Sequence, residues 1–121
     1  MGFLEKVLGD LFGKKKGREE ALLESFPDSE IVFDVHNFYQ LPKIEAIITG
    51  KLLRGSLASG MRLKVLPSGK TLTVKYLEAD EKRIPLAVEG QLVGIGADGL
   101  TTDDVKEGST VVNAEAQPSR M

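Results

Sequence analysis

The chain contains no cysteine among its 121 residues, which removes disulfides, thiolate metal sites and cysteine nucleophiles together and suits a reducing cytoplasm. Aromatic residues are scarce at 6%, so a folded core has to be packed from aliphatic side chains. Histidine occurs once, at His36, too few for the usual three- or four-ligand zinc site. Long apolar runs are also missing. The stretch from Phe3 to Phe12 is interrupted by Glu5, Lys6, Gly9 and Asp10, which fits neither a secretory core nor a transmembrane span. The opening Met1-Gly2 lacks the Ser or Thr of a myristoylation signal at position 6, where Lys6 stands.

What remains is the composition of one globular domain, long enough to bury about two-thirds of its unfolded surface. The formal net charge is only -2, but it is unevenly distributed. Between Lys43 and Arg83 nine basic residues face four acids, whereas from Ile84 onward Lys106 and Arg120 face six acids. A basic middle and an acidic end can steer an anionic partner to one side; the same residues also serve as the solvated faces of strands.

The periodicity divides the chain into residues 1–28, 29–115 and a tail, 116–121. In the first segment Phe3, Leu4, Val7, Leu8, Leu11 and Phe12 fall on one half of a helical cylinder, with Glu5, Lys6, Gly9 and Asp10 on the other. A helix this short needs a surface to lie against, which makes it a docking element. The run Gly13-Lys14-Lys15-Lys16-Gly17 reads as a hinge, and Arg18 to Phe26 as a second helical piece ended by Pro27.

From Ile31 the period changes to two. Ile31, Phe33 and Val35 alternate with Val32, Asp34 and His36, which predicts a strand with one apolar face and puts His36 on its exposed side. Further strands are expected over Ile44–Leu53, Met61–Leu66, Lys70–Glu78, Ile84–Val88, Gln91–Ala97 and Ser109–Ala114, with Gly50 marking a bulge or bend. Leu72, Val74 and Tyr76 recur at a spacing of two, Ser56–Ser59 reads as a loop, and Pro67-Ser68-Gly69 as a hairpin turn. Short strands with regularly spaced turns predict a mainly β sandwich or closed barrel.

Signals of chemistry fail on context. Gly69-Lys70-Thr71 has Lys64 where a phosphate-binding loop needs its first glycine. Gly94 to Gly99 satisfies G-x-G-x-x-G, but only 22 residues follow and they read as loop plus strand, not as a βαβ unit. Asp103, Asp104 and Glu107 lack the spaced oxygen set of a calcium loop, and Thr101–Asp104 reads as an Asx or Ser/Thr turn. His36 near Asp34 has no accompanying nucleophile signature. No catalytic residue, cofactor, nucleotide or metal is therefore expected.

The stretch Thr49-Gly50-Lys51-Leu52-Leu53-Arg54-Gly55-Ser56-Leu57-Ala58-Ser59-Gly60-Met61-Arg62-Leu63 resembles the second domain of translational GTPases such as elongation factor Tu. Pro67 and Gly69 follow on schedule, and Pro85, Ala87, Gly90, Val93, Gly94, Gly99, Asp104, Val105 and Gly108 resemble the family's closing series. The likeness covers about Glu30 to Ala114. It implies a closed six-stranded Greek-key barrel standing alone behind a short amphipathic helix, with glycines at its bends. Met61, Gln91 and Ser109 stand where the family often has Asp, and Tyr39–Lys43 replaces its glycine-bearing loop. GTP hydrolysis does not carry over.

Two functional expectations follow. The first is a non-enzymatic, translation-factor-like module that recognises RNA, a ribosomal surface or a protein through Arg54, Arg62, Lys64 and Lys75. The second is an adaptor whose N-terminal face, Phe3, Leu4, Val7, Leu8, Leu11 and Phe12, docks on an anionic membrane or in a partner's groove. That face also suits a cover for the barrel itself or the interface of a homodimer. Either reading places the chain in the cytoplasm, the second at the membrane periphery.

Overall fold

The structure is a computed structural model that describes residues 17–40, 46–98, 100–101 and 103–114. The apolar face from Phe3 to Phe12 and the tail 116–121 lie outside the described residues. A helix, α1, covers residues 17–25 and ends before Pro27. Nine strands follow among the described residues: β1 Val32–Gln40, β2 Ala46–Arg54, β3 Leu57–Ala58, β4 Arg62–Leu66, β5 Lys70–Ala79, β6 Lys82–Ile84, β7 Leu86–Ala87, β8 Leu92–Ala97 and β9 Thr110–Asn113.

Six of these close into an antiparallel ring, β1-β2-β8-β5-β4-β9, with β9 returning to β1. Because β2 neighbours β8 and not the next long strand in the chain, the connectivity is Greek key. Strand β6 extends β5 as a hairpin, and β3 pairs with β7 in a separate two-stranded ribbon. That ribbon corrects two readings of the sequence. The expected loop at Ser56–Ser59 contains a strand, and the expected strand at Ile84–Val88 is split at Pro85 into β6 and β7. Proline has no N–H for a ladder, so the two halves pair with different strands.

The barrel interior is aliphatic apart from Phe33, filled by residues such as Ile48, Leu63, Val65, Leu77 and Ile95, each 0–1% exposed. Three register shifts interrupt the ladders, one where β2 skips Leu53 between Arg54 opposite Val32 and Leu52 opposite Phe33, and two more in β1 and β5. In β1 the pairing skips His36, between Val35 opposite Gly50 and Asn37 opposite Thr49. In β5 it skips Lys75, between Val74 opposite Ala97 and Tyr76 opposite Gly96. Each extra residue reverses the alternation beyond it. Phe38 and Leu77 therefore turn toward the core, whereas Tyr76, which a spacing of two grouped with Leu72 and Val74, lies on the outside.

β1 is also buried on both faces over Val32–Val35, contrary to the expected single apolar face. Val32, Leu53 and Val112 are buried but stand apart from the barrel core, on the outer surface where α1 lies. Leu22, Leu23 and Phe26 are half-buried at helical spacing and cover it.

Candidate nucleic-acid interface

Strands β4 and β5 form the basic outer face. Arg62 sits opposite Thr73 and Lys64 opposite Thr71, while the bulge at Lys75 keeps that side chain outward beyond Thr73. Arg62, Thr71, Thr73, Lys75 and Asp98 line one shallow depression, and Lys75 Nζ lies 3.4 Å from an Asp98 carboxylate oxygen. Lys70 Nζ, at the β4–β5 turn, is 3.8 Å from Asp104. Cations spaced along exposed strands beside two threonine hydroxyls are a chemically suitable surface for phosphate oxygens, with Asp98 as the competing anion.

Arg54 is placed differently from the other three. Its Nη1 donates to the carbonyl oxygens of Phe26 at 2.8 Å and Ser29 at 3.0 Å, and its Nη2 donates to that of Leu23 at 3.3 Å. A guanidinium at the carboxyl end of α1 satisfies carbonyls left over by the helix and complements its dipole. The structure thus places Arg62 and Lys75 on one depression, with the half-buried Lys64 two residues along β4 opposite Thr71, and commits Arg54 to holding the helix.

The opposite end of α1 is also anchored. Arg18 pairs in bidentate fashion with Asp34, Nη2–Oδ1 at 2.7 Å and Nε–Oδ2 at 3.2 Å, and Lys51 Nζ lies 3.4 Å from Glu19. The hydrogen bond to Asp34, with its charge and that of Glu107, raises the Arg18 pKa against an opposing effect of burial. Asp34 is buried, and His36 Nε2 stands 3.6 Å from its second oxygen. His36, expected to be exposed, is half-buried because α1 covers the neighbouring outer face.

Next to this anchor is a groove that the sequence did not reveal. It crosses β1, β2, β8 and the β5–β6 hairpin, with Ile47, Leu92 and Gly94 along its bed and His36, Asn37, Glu78, Asp80 and Glu81 at its margin. The bulge at His36 supplies two consecutive outward residues, and Gly94 leaves the bed without a side chain. The neighbouring Tyr76 ring covers Gly96, where a Cβ would collide with it, and Arg83 stacks on the ring at 3.7 Å from its centroid.

The motifs that imitate catalytic signatures have structural roles. Gly69 lies in the β4–β5 turn, its N–H donating to the Val65 carbonyl, and Gly94 and Gly96 lie within β8. Asp104 accepts from the Thr101 N–H at 2.9 Å and from its hydroxyl at 3.3 Å, the expected side-chain turn. No group of three His, Cys, Asp or Glu placed to hold a metal occurs among the described residues. No helix among them is long and apolar enough to cross a membrane.

The family model for elongation factor Tu domain 2 matches residues 45–112. The chain belongs to the elongation factor Tu domain 2 family. Among sequence relatives, it is 26% identical over 92 residues to elongation factor 1-alpha of Methanoregula boonei, covering 76% of this chain and 22% of that protein. It is 28% identical over 85 residues to the Methanospirillum hungatei protein of the same name, covering 70% of this chain and 20% of the relative. The chain therefore spans about a fifth of the length of these relatives. In fold it is similar to translation elongation factor SelB of Methanococcus maripaludis. The apo form superposes with a TM-score of 0.66 at 20% identity, covering 71% of this chain and 18% of SelB. The form bound to the GTP analogue GppNHp gives 0.67 at 19%, covering 74% and 20%.

Proposed function

We propose that this chain is a non-enzymatic binding module of translation-factor type that contacts RNA phosphates through the outer face of β4 and β5. The observation that supports it is the convergence of Arg62, Lys64 and Lys75 on two hydrogen-bonded strands beside Thr71 and Thr73. Family membership favours an RNA or ribosomal target over an unrelated acidic ligand. A phosphate oxygen would replace Asp98 at Lys75 and draw on the threonine hydroxyls. Arg54 has no part in this contact. The face from Phe3 to Phe12 lies outside the described residues and adds no support for a membrane role.

The test is the salt dependence of binding to single-stranded and ribosomal RNA. Each phosphate contact on a single strand contributes about 0.7 to the slope of log K against log salt. Converting Arg62, Lys64 and Lys75 to Ala should lower the slope by roughly 2. An unchanged slope and affinity would overturn the reading. Capture of a ribosomal protein without RNA would move the contact to a protein target.

A further inference from the structure

We propose that the groove across β1, β2, β8 and the β5–β6 hairpin is a docking site for this chain's own first sixteen residues. The inference is independent of the RNA reading, which uses β4 and the Thr71–Lys75 part of β5, whereas the groove uses Glu78 and Ala79 at the other end of that strand. Its starting point is where the described chain begins. Arg18 is fixed to Asp34 on β1 and Glu19 to Lys51 on β2, while Leu23 and Phe26 lie toward Arg54, farther along β2. Helix α1 thus runs in the direction of β2, and its amino end faces the half of the sheet that carries His36, Thr49 and Ile47. Those residues line the groove. The amino end of α1 accordingly lies beside the groove's margin, since His36 lines both the groove and the depression that Arg18 lines.

Chemistry and size agree with this occupant. The groove is lined by Ile47 and the exposed Leu92, and by Gly94, where an added Cβ would make only ordinary contacts with Thr49, Ile47 and Glu78 at 3.7–3.9 Å. The preceding segment offers Phe3, Leu4, Val7, Leu8, Leu11 and Phe12 on one face. Four strands side by side span roughly 14 Å from the first to the last, and ten helical residues extend about 15 Å. Charges are complementary as well. The segment carries Lys6, Lys14, Lys15 and Lys16 against Glu5 and Asp10. Glu107 stands beside Arg18 at the near end, and Asp80 and Glu81 lie at the far end with Glu78, which Arg83 already partners at 3.3 Å. No lysine or arginine lines the groove among the described residues.

The absence of cysteine allows a direct measurement on the full chain. Lys6→Cys, on the polar half of the segment, introduces a single site for a nitroxide label. The expected result is loss of amide signal intensity at Ile47, Thr49, Leu92 and Gly94, reversed when the label is reduced. Adding Phe3→Ser, Leu8→Ser and Leu11→Ser to the labelled chain should restore those signals while the other barrel resonances stay in place. Groove signals that never weaken, or that remain weakened in the serine variant, would overturn the proposal. Mixing labelled protein with an unlabelled, nitrogen-15-enriched copy addresses the other occupant. Weakening of the groove signals in that copy means that a second chain sits there, which also overturns it.

Discussion

Arg18 and Asp34 join α1 to the barrel through two hydrogen bonds, and the carboxylate they fix is buried while the guanidinium stays half-exposed. Removing Arg18 leaves a buried carboxylate beside the His36 imidazole, whose Nε2 stands 3.6 Å from it. Breaking a fully buried pair costs about 3–5 kcal/mol, and solvent access at Arg18 reduces this to about 1–2 kcal/mol. Arg18→Ala should lower the unfolding free energy from urea melts by that amount. Asp34→Ala in the Arg18→Ala background should recover part of the loss. Two independent, additive losses would mean that the pair does not couple α1 to the barrel.

Gly50 and Gly94 lie on adjacent strands and differ in what surrounds them. A Cβ at Gly50 would collide with the Asp34 carbonyl oxygen, because the bulged β1 passes close across β2 there. At Gly94 the nearest atom would be a Thr49 methyl at 3.7 Å, an ordinary contact. Gly50→Ala should therefore destabilise by about 3 kcal/mol or prevent folding, since the obstructing atom is backbone. Gly94→Ala should stay within about 0.5 kcal/mol of the parent. Thermal unfolding of the pair checks this, and equal losses would contradict it.

The β5–β6 hairpin turns on Asp80 and Glu81, with φ of 55° and 66°. Two left-handed residues between Ala79 and Lys82, which pair with each other, form the hairpin turn that matches strand twist. Each non-glycine residue there carries about 1–2 kcal/mol of steric cost. Glu81→Gly relieves one of them and loosens the unfolded chain by about 0.4–1 kcal/mol, for a net gain of roughly 0.5–1 kcal/mol. The midpoint of thermal unfolding should rise by a few degrees. A fall would show that the Glu81 side chain makes a compensating contact.

Glycine and proline punctuation made the barrel legible in the sequence. Gly50, Gly55, Gly60, Gly69, Gly90 and Gly108 all sit at turns or close approaches, five of them with positive φ. What escaped depended on a single inserted residue or on a distant element. Nothing about His36 or Lys75 announces that the ladder skips them, yet those insertions decide that His36 with Asn37 and Lys75 with Tyr76 face outward. Val32 and Asp34 looked like a solvent face because the helix that covers them lies elsewhere in the chain. The groove escaped for the same reason: its residues come from four strands, and no local pattern joins Ile47 to Leu92 and Asp80.

Arg54 and Arg62 look equivalent in the sequence, two arginines in one basic stretch, but the structure assigns them different work. Arg54 serves the Leu23 carbonyl in the last turn of α1 and those of Phe26 and Ser29 just beyond it. Arg54→Ala should cost about 1–2 kcal/mol, because those carbonyls lose a charged donor. Arg62 is exposed on β4, so Arg62→Ala should leave stability within about 0.5 kcal/mol of the parent. RNA affinity should respond in the opposite sense: Arg62→Ala lowers both affinity and its salt slope, and Arg54→Ala leaves the slope unchanged while the protein is folded. Urea melts and binding isotherms at two salt concentrations measure both quantities on each variant. A loss of slope in Arg54→Ala with α1 intact would return that arginine to the binding face and place the RNA path across β2.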